Sequence, residues 1–157
     1  MKRLAIIPLL LLCCVALGAK KPYDGKGYRI VLTIEGNTDS VMYLGNYYAG
    51  GTYASDTARR DAKGRFVFEQ KTRRVFPGLY FFTNPAGRHV DFVIYNERPD
   101  FTFTTREEDW LGAMEVKGSE ENTLFYAYHH VNARAYHRMD SAAAVKGDEQ
   151  AYNQFRR

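Results

Sequence analysis

Residues 89–105 read HVDFVIYNERPDFTFTT and contain two stretches with a period of two. In the first stretch, Val90, Phe92 and Ile94 are separated by single residues, and the second, 100–105, reads DFTFTT. Successive side chains of a β-strand point to opposite faces, so this period predicts two strands that each bury one face.

The same pattern continues outward from this segment between turn signals. The clearest turn is DAKG at 61–64, where Gly64 can adopt a positive φ angle. Eight strands at a spacing of about 8–12 residues are typical of all-β sandwiches and barrels. We predict a mostly β fold, an antiparallel β-sandwich-like domain spanning 28–118. The other six predicted strands are 28–35, 40–48, 52–61, 65–71, 79–83 and 114–116.

The period changes at Ser119, which is a suitable N-cap for a helix and is followed by Glu120 and Glu121 in the first turn. An apolar stripe then recurs every three or four residues and predicts a helix running to about 140 or 144. Residues 149–157 resemble the start of a second helix. We therefore expect 119–157 to be a helical segment, either packed on the β-domain or leading away as the truncated linker of a longer protein. The stripe consists of Leu124, Tyr128, Val131, Ala135 and Met139.

The N-terminus predicts export. Lys2 and Arg3 precede a long apolar run, and the small residues Ala16 and Gly18 occupy the −3 and −1 positions for cleavage after Gly18. We predict a signal peptide over 1–18, a short extension over 19–27, and a final location in the periplasm or cell envelope. The run is shorter than the roughly 20 apolar residues of a membrane-spanning helix, so no permanent span is expected.

Both cysteines, Cys13 and Cys14, lie inside the predicted signal peptide. Leu12 precedes Cys13 where a lipoprotein needs a small residue, which disfavours a lipid anchor. The chain after Gly18 has no thiol for catalysis, disulfide formation or metal binding. Its charge is nearly balanced, because two of the 22 basic residues fall in the removed segment and 18 acidic residues remain. No nucleic-acid partner is expected.

The polar residues form no recognisable catalytic or metal-binding motif. His129, His130 and His137 share one helix, but none are four residues apart, which is the usual spacing for metal ligands on a helix. No G-x-S-x-G sequence is present. We expect no enzyme activity, no catalytic residue, no cofactor and no metal, with an unrecognised hydrolase as a weaker alternative. The acidic residues that such a hydrolase would use for catalysis are Asp91, Glu97, Asp100 and residues 107–109.

The tyrosines Tyr43, Tyr47, Tyr48 and Tyr53 form the most suggestive group. They fall on neighbouring predicted strands or on their connection. Exposed aromatic rings on a sandwich can form a platform for a sugar or a peptide. The alternative is that the rings pack between the sheets or under the C-terminal helix, and the pattern leaves both interpretations open.

Several segments form a characteristic run of turns and strands: 56–57 (DT), 61–68 (DAKGRFVF), 77–82 (PGLYFF) and 116–122 (VKGSEEN). Together they resemble the N-terminal β-domain of unknown function found ahead of the thioredoxin-like domain in secreted Bacteroidetes-type TlpA/ResA/AhpC-TSA-like thiol–disulfide oxidoreductases. The resemblance covers about 28–132 and continues into the helix. In that family the redox chemistry belongs to a C-x-x-C of the downstream domain, and this chain has no such motif.

The resemblance implies a non-catalytic accessory or interaction domain. Its partner would be its own downstream thioredoxin-like domain or another protein, and a homodimer is also compatible. The alternative function is an independent binding module for a sugar or peptide that uses the tyrosine-rich β face.

Overall fold

Two four-stranded sheets face each other and form the body of the protein. The computed structural model describes residues 23–95 and 97–144. Within them, each of the eight predicted strands is present, with ends within three residues of the predicted ones. The elements are β1 (Lys26–Glu35), β2 (Val41–Tyr48), β3 (Gly51–Arg59), β4 (Arg65–Arg74), β5 (Gly78–Thr83), β6 (His89–Ile94), β7 (Asp100–Arg106), β8 (Glu115–Lys117) and α1 (Glu120–Ala144).

One sheet has the order β4-β1-β7-β8 and the other β3-β2-β5-β6. The predicted mostly β, sandwich-like fold with a C-terminal helix is confirmed. Its pairings are antiparallel except that β1 and β7 run parallel, with Ile30 opposite Phe101. Strand alternation determines the face of each side chain but not the neighbouring strand, so this pairing could not be predicted locally.

Phenylalanine rings from both sheets meet in the core. Phe103 on β7 contacts Phe82 on β5 and Phe92 on β6, with ring centroids 5.3 and 5.1 Å apart. All three rings are fully buried. These distances are typical of the tilted and edge-to-face arrangements that aromatic rings prefer. The alternating residues that predicted the strands therefore form the interior between the sheets.

Helix α1 has the predicted N-cap but docks through an unexpected face. The Asn122 backbone N–H donates to Ser119 Oγ over 3.1 Å. The buried residues are Asn122 and Tyr126, whereas Leu124 and Tyr128 of the apolar stripe are 65% and 64% exposed. The apolar stripe therefore faces away from the β-domain, because the helix is held by polar and aromatic side chains in its first two turns.

Some predictions concern segments outside the described residues. These are the signal peptide at 1–18, the extension up to residue 22 and the second helix at 149–157. The side chains of His137 and Met139 also lie outside the description. No helix in the described ranges is long and apolar enough to cross a membrane.

Candidate functional site: an aromatic groove beside the β2–β3 hairpin

The β2–β3 hairpin turns through only two residues. Ala49 and Gly50 have φ angles of 47° and 80°, and Tyr48 pairs with Gly51 across the turn. Positive φ at both central residues is the signature of a type I′ turn, whose twist matches that of the flanking strands. The turn therefore sets the register that places Tyr48 and Tyr53 at the end of the hairpin.

The strand register divides the four predicted tyrosines between two faces. Asn46 on β2 is opposite Tyr53 on β3 and also opposite Tyr80 on β5. Residues directly opposite each other in antiparallel strands share a face, and Tyr48 follows two positions after Asn46. Tyr48 and Tyr53 therefore lie on the same side as the buried Tyr80, whereas Tyr43 and Tyr47 belong to the opposite side.

A groove of about 500 Å³ opens where the hairpin end meets the connection between β4 and β5. The Tyr48 and Tyr53 rings lie edge to face, with centroids 6.5 Å apart. Tyr48, Tyr53 and Phe76 are 72%, 53% and 63% exposed. Exposed aromatic rings that are grouped in this way mark binding surfaces more often than scattered ones do. The lining residues are Asn46, Tyr47, Tyr48, Tyr53, Phe76, Pro77, Gly78 and Tyr80.

Polar groups line an adjoining cavity of about 180 Å³ that shares Asn46, Phe76 and Tyr80 with this groove. Ser55 Oγ donates to Asn46 Oδ1 over 2.7 Å. The Tyr28 hydroxyl donates to Asp56 Oδ2 over 2.8 Å. Burial, followed by this hydrogen bond, raises the pKa of Tyr28 well above its usual value, so its phenol remains a proton donor. The hydrogen bonds hold these polar side chains in place behind the aromatic rings.

Tyr47 lies across the outer face of the sheet. Its ring centroid is 5.0 Å from that of Phe81, and its hydroxyl donates to Asp91 Oδ1 over 3.1 Å. Phe81 in turn covers Gly45, where an added Cβ would overlap the ring. Gly45 is therefore required by this close approach, which allows the Phe81 ring to lie over the strand beneath Tyr47.

The structure thus brings together the rings of Tyr48 and Tyr53; Tyr47 lines the groove as a residue while its ring lies on the outer face, and Tyr43 is outside the groove. Sequence reasoning missed Phe76 and Tyr80. Phe76 directly precedes Pro77-Gly78, which separates two strands. An aromatic residue directly before such a break was the signal available in the sequence.

The histidines do not assemble into a metal centre among the described residues, in which no group of three candidate ligands occurs. The His129 ring packs against Phe125 with centroids 4.6 Å apart. His130 Nε2 is buried without a hydrogen-bond partner in the described part of the chain. It lines a separate cavity of about 360 Å³ that also includes Glu35 and Arg106.

The acidic candidates make structural contacts. Glu97 accepts a hydrogen bond from Ser119 Oγ, and its pKa is raised by burial and by neighbouring Glu121. Glu107 accepts hydrogen bonds from Asn37 Nδ2 and Trp110 Nε1 over 2.8 and 3.2 Å. These carboxylates hold a helix start and a loop cluster, which lie outside the aromatic groove.

Comparison with known proteins gives one match. A search of curated proteins and a search of solved structures each find nothing similar. A family model described as "Domain of unknown function (DUF4369)" matches residues 28–125, which run from within β1 through β8 to the start of α1. The predicted assignment to a domain family of unknown function is confirmed to that extent. The chain belongs to the DUF4369 family.

Proposed function

We propose that this chain is a non-catalytic interaction domain that binds an apolar polypeptide segment in the aromatic groove. The observation that carries this proposal is the groove itself. It has a volume of about 500 Å³ and is lined by five aromatic residues, of which Tyr48, Tyr53 and Phe76 are more than half exposed. Aromatic side chains provide a large contact area with few rotatable bonds, so they bind at a low entropic cost.

The hydrogen-bonding groups that line the groove favour a peptide over a sugar as the ligand. A sugar presents many hydroxyl groups, each of which needs a hydrogen-bond partner when it is buried. In the groove, the Asn46 amide oxygen already accepts a hydrogen bond from Ser55. The Tyr47 and Tyr80 hydroxyls also already donate, to Asp91 and to the Phe76 carbonyl, so the exposed Tyr48 and Tyr53 phenols are the hydroxyls that remain for a ligand beside Pro77 and Gly78. Grooves lined by aromatic rings suit proline-containing segments in the polyproline II conformation, which are already extended before binding.

The wider role follows from the sequence resemblance. We infer that the protein is exported and that the domain serves a thioredoxin-like thiol–disulfide oxidoreductase of the Bacteroidetes type. The membership of the DUF4369 family and the apolar N-terminal run support this inference. Because no cysteine follows Gly18, any thiol chemistry would belong to another domain or protein. The groove would then hold a substrate protein or position the redox domain.

An array of decapeptides, half of them proline-containing and half proline-free apolar, tests the binding function with the purified protein. We expect the proline-containing set to bind, and the variants Tyr53→Ala and Phe76→Ala to weaken that binding about ten-fold or more. Tyr95→Ala is the matched control, because Tyr95 is 58% exposed but does not line the groove. It should change the affinity less than about two-fold.

A glycan array examined with the same variants distinguishes peptide binding from the alternative, sugar binding. Sugar binding that Tyr53→Ala abolishes, together with an empty peptide array, would replace the peptide assignment by the sugar-binding one. Peptide binding that Tyr53→Ala, Phe76→Ala and Tyr95→Ala leave equally unchanged would show that the groove is not the binding site.

A further inference from the structure

Helix α1 carries an apolar stripe that no described part of the chain covers. Leu124, Tyr128 and Val131 are 65%, 64% and 55% exposed, and Ala135 is exposed as well. At about 100° of rotation per residue, the docked Asn122 lies roughly 160° around the helix from Leu124. The stripe therefore faces away from the β-domain, and the Tyr128 ring contacts that of its helix neighbour His129, with centroids 5.8 Å apart.

The spacing of the stripe is that of a helix-pairing seam. Its four residues are separated by four, three and four positions, which is the spacing of the a and d positions of a heptad repeat. With Tyr128 and Ala135 at a positions, Leu124 and Val131 occupy d positions. A seam of this kind fits a second helix of the same type, because each side chain packs between side chains of the partner.

The charges beside the stripe are separated along the helix. Glu120 and Glu121 lie at its start, close to Glu97, whereas Arg134 and Arg138 lie about four to five turns later. Within the described residues, none of these five side chains forms an ion pair. The acidic start and the basic later part are therefore complementary only if two such helices run in opposite directions.

We propose that two copies of this chain associate through antiparallel pairing of their α1 helices. Centring the two stripes on each other places Tyr128 opposite Val131 and Leu124 opposite Ala135 of the second copy. The same register places Glu121 opposite Arg138 twice, once at each end of the seam. A parallel pair would instead bring Glu121 against Glu121 and Arg138 against Arg138, and like charges so placed repel.

The seam is separate from the aromatic groove. Helix α1 contacts β6 and β8, whereas the groove is formed by β2, β3, β5 and the connection before β5. The paired segment from Glu121 to Arg138 is about 27 Å long at 1.5 Å per residue. A dimer formed by this seam leaves both grooves open and does not depend on what they bind.

Sedimentation equilibrium of the purified protein at low salt tests the pairing and its direction. We expect a reversible monomer–dimer equilibrium in the wild type. Each of the charge reversals Glu121→Arg and Arg138→Glu should lower the association constant about ten-fold or more. In an equimolar mixture of the two variants, association should return. The arginine introduced at position 121 of one copy then faces the glutamate introduced at position 138 of the other, and the remaining native pair is also complementary.

Lys71→Glu is the control charge reversal. The Lys71 side chain is 81% exposed and lies on β4, whereas α1 contacts β6 and β8. This reversal should leave association unchanged, as should the groove variant Tyr53→Ala. A wild type that remains monomeric up to about 1 mM would overturn the proposal. A dissociation constant of that size corresponds to a free energy of association of about −4 kcal/mol. Single reversals that weaken the dimer without recovery in the mixture would overturn the antiparallel register. Circular dichroism spectra matching the wild type confirm that each variant is folded.

Discussion

At the scale of single residues, the Asn122 side chain decides how the helix attaches to the β-domain. The Val93 backbone N–H donates to Asn122 Oδ1, and Asn122 Nδ2 donates to the Val93 carbonyl, each over 2.7 Å. Strand β6 is at the edge of its sheet, so these Val93 groups have no strand partner. The fully buried amide thus takes the place of a neighbouring strand.

We expect Asn122→Ala to destabilise the protein by about 2–4 kcal/mol. Three side-chain hydrogen bonds are lost, two with Val93 and one to Ser119 Oγ. The part-buried N–H and carbonyl of Val93 then remain unpaired, and an unpaired buried group costs about 1–3 kcal/mol. Urea unfolding followed by circular dichroism measures the change. Thr123→Ala in the same turn, where the side chain is exposed, is the control and should cost less than about 1 kcal/mol. A cost for Asn122→Ala no larger than the control's would mean that the helix does not depend on this amide.

At the scale of elements, the β2–β3 hairpin combines a tight turn with an irregular ladder. Ala49 is the non-glycine residue with positive φ in the described chain. The pairing shifts by one residue between Leu44 and Gly45, so that Ser55 is an extra residue on β3. Such a bulge increases local twist. The twist and the turn together direct Tyr48 and Tyr53 toward the β4–β5 connection.

Replacing Ala49 with asparagine should raise the free energy of unfolding by about 0.5–1 kcal/mol. The left-handed conformation costs an alanine about 1–2 kcal/mol, and asparagine followed by glycine is a preferred pair for a type I′ turn. Thermal unfolding by calorimetry measures the effect, and Ala49→Val, which suffers more strain at this φ, should lower stability instead. If Ala49→Asn were no more stable than the wild type, turn strain would not limit the stability of the hairpin.

At the scale of the whole molecule, buried phenols connect stability to alkaline pH. Tyr126 donates to the Asp91 carbonyl over 2.6 Å, and Tyr28 donates to Asp56. Burial raises the pKa of both residues well above the usual value near 10. The folded state therefore retains these protons at a pH at which the unfolded state releases them.

The free energy of unfolding should consequently decline as the pH rises above about 10. The sign follows from the raised pKa, because the contribution is complete below the unfolded-state pKa and is lost above it. Urea unfolding at a series of pH values measures the decline, and Tyr126→Phe should make it shallower because one of the phenols with a raised pKa is removed. An equal decline in Tyr126→Phe would show that Tyr126 does not contribute to it.

The candidate site could be predicted from the sequence only in part. Tyr43, Tyr47, Tyr48 and Tyr53 were identified as a group because they are close together in the chain, and the last three line the groove. Phe76 and Tyr80 come from later segments, and they reach the groove through the pairing of β5 with β2. Tyr43 was grouped with the other three tyrosines but lies outside the groove, because proximity along a strand does not specify which rings meet at its end.

The sequence by itself determined the strands, most of the turns and the helix start, because each depends on local properties. Alternation of residues such as Phe101 and Phe103 requires an extended chain with one buried face, and Ser119 caps a helix through its own neighbours. Only the tertiary structure decided the strand order, the parallel pairing of β1 with β7, the face on which α1 docks and the rings that share the groove. These features depend on contacts between segments far apart in the chain. Such contacts form, and stabilise the fold, only when the whole domain is packed.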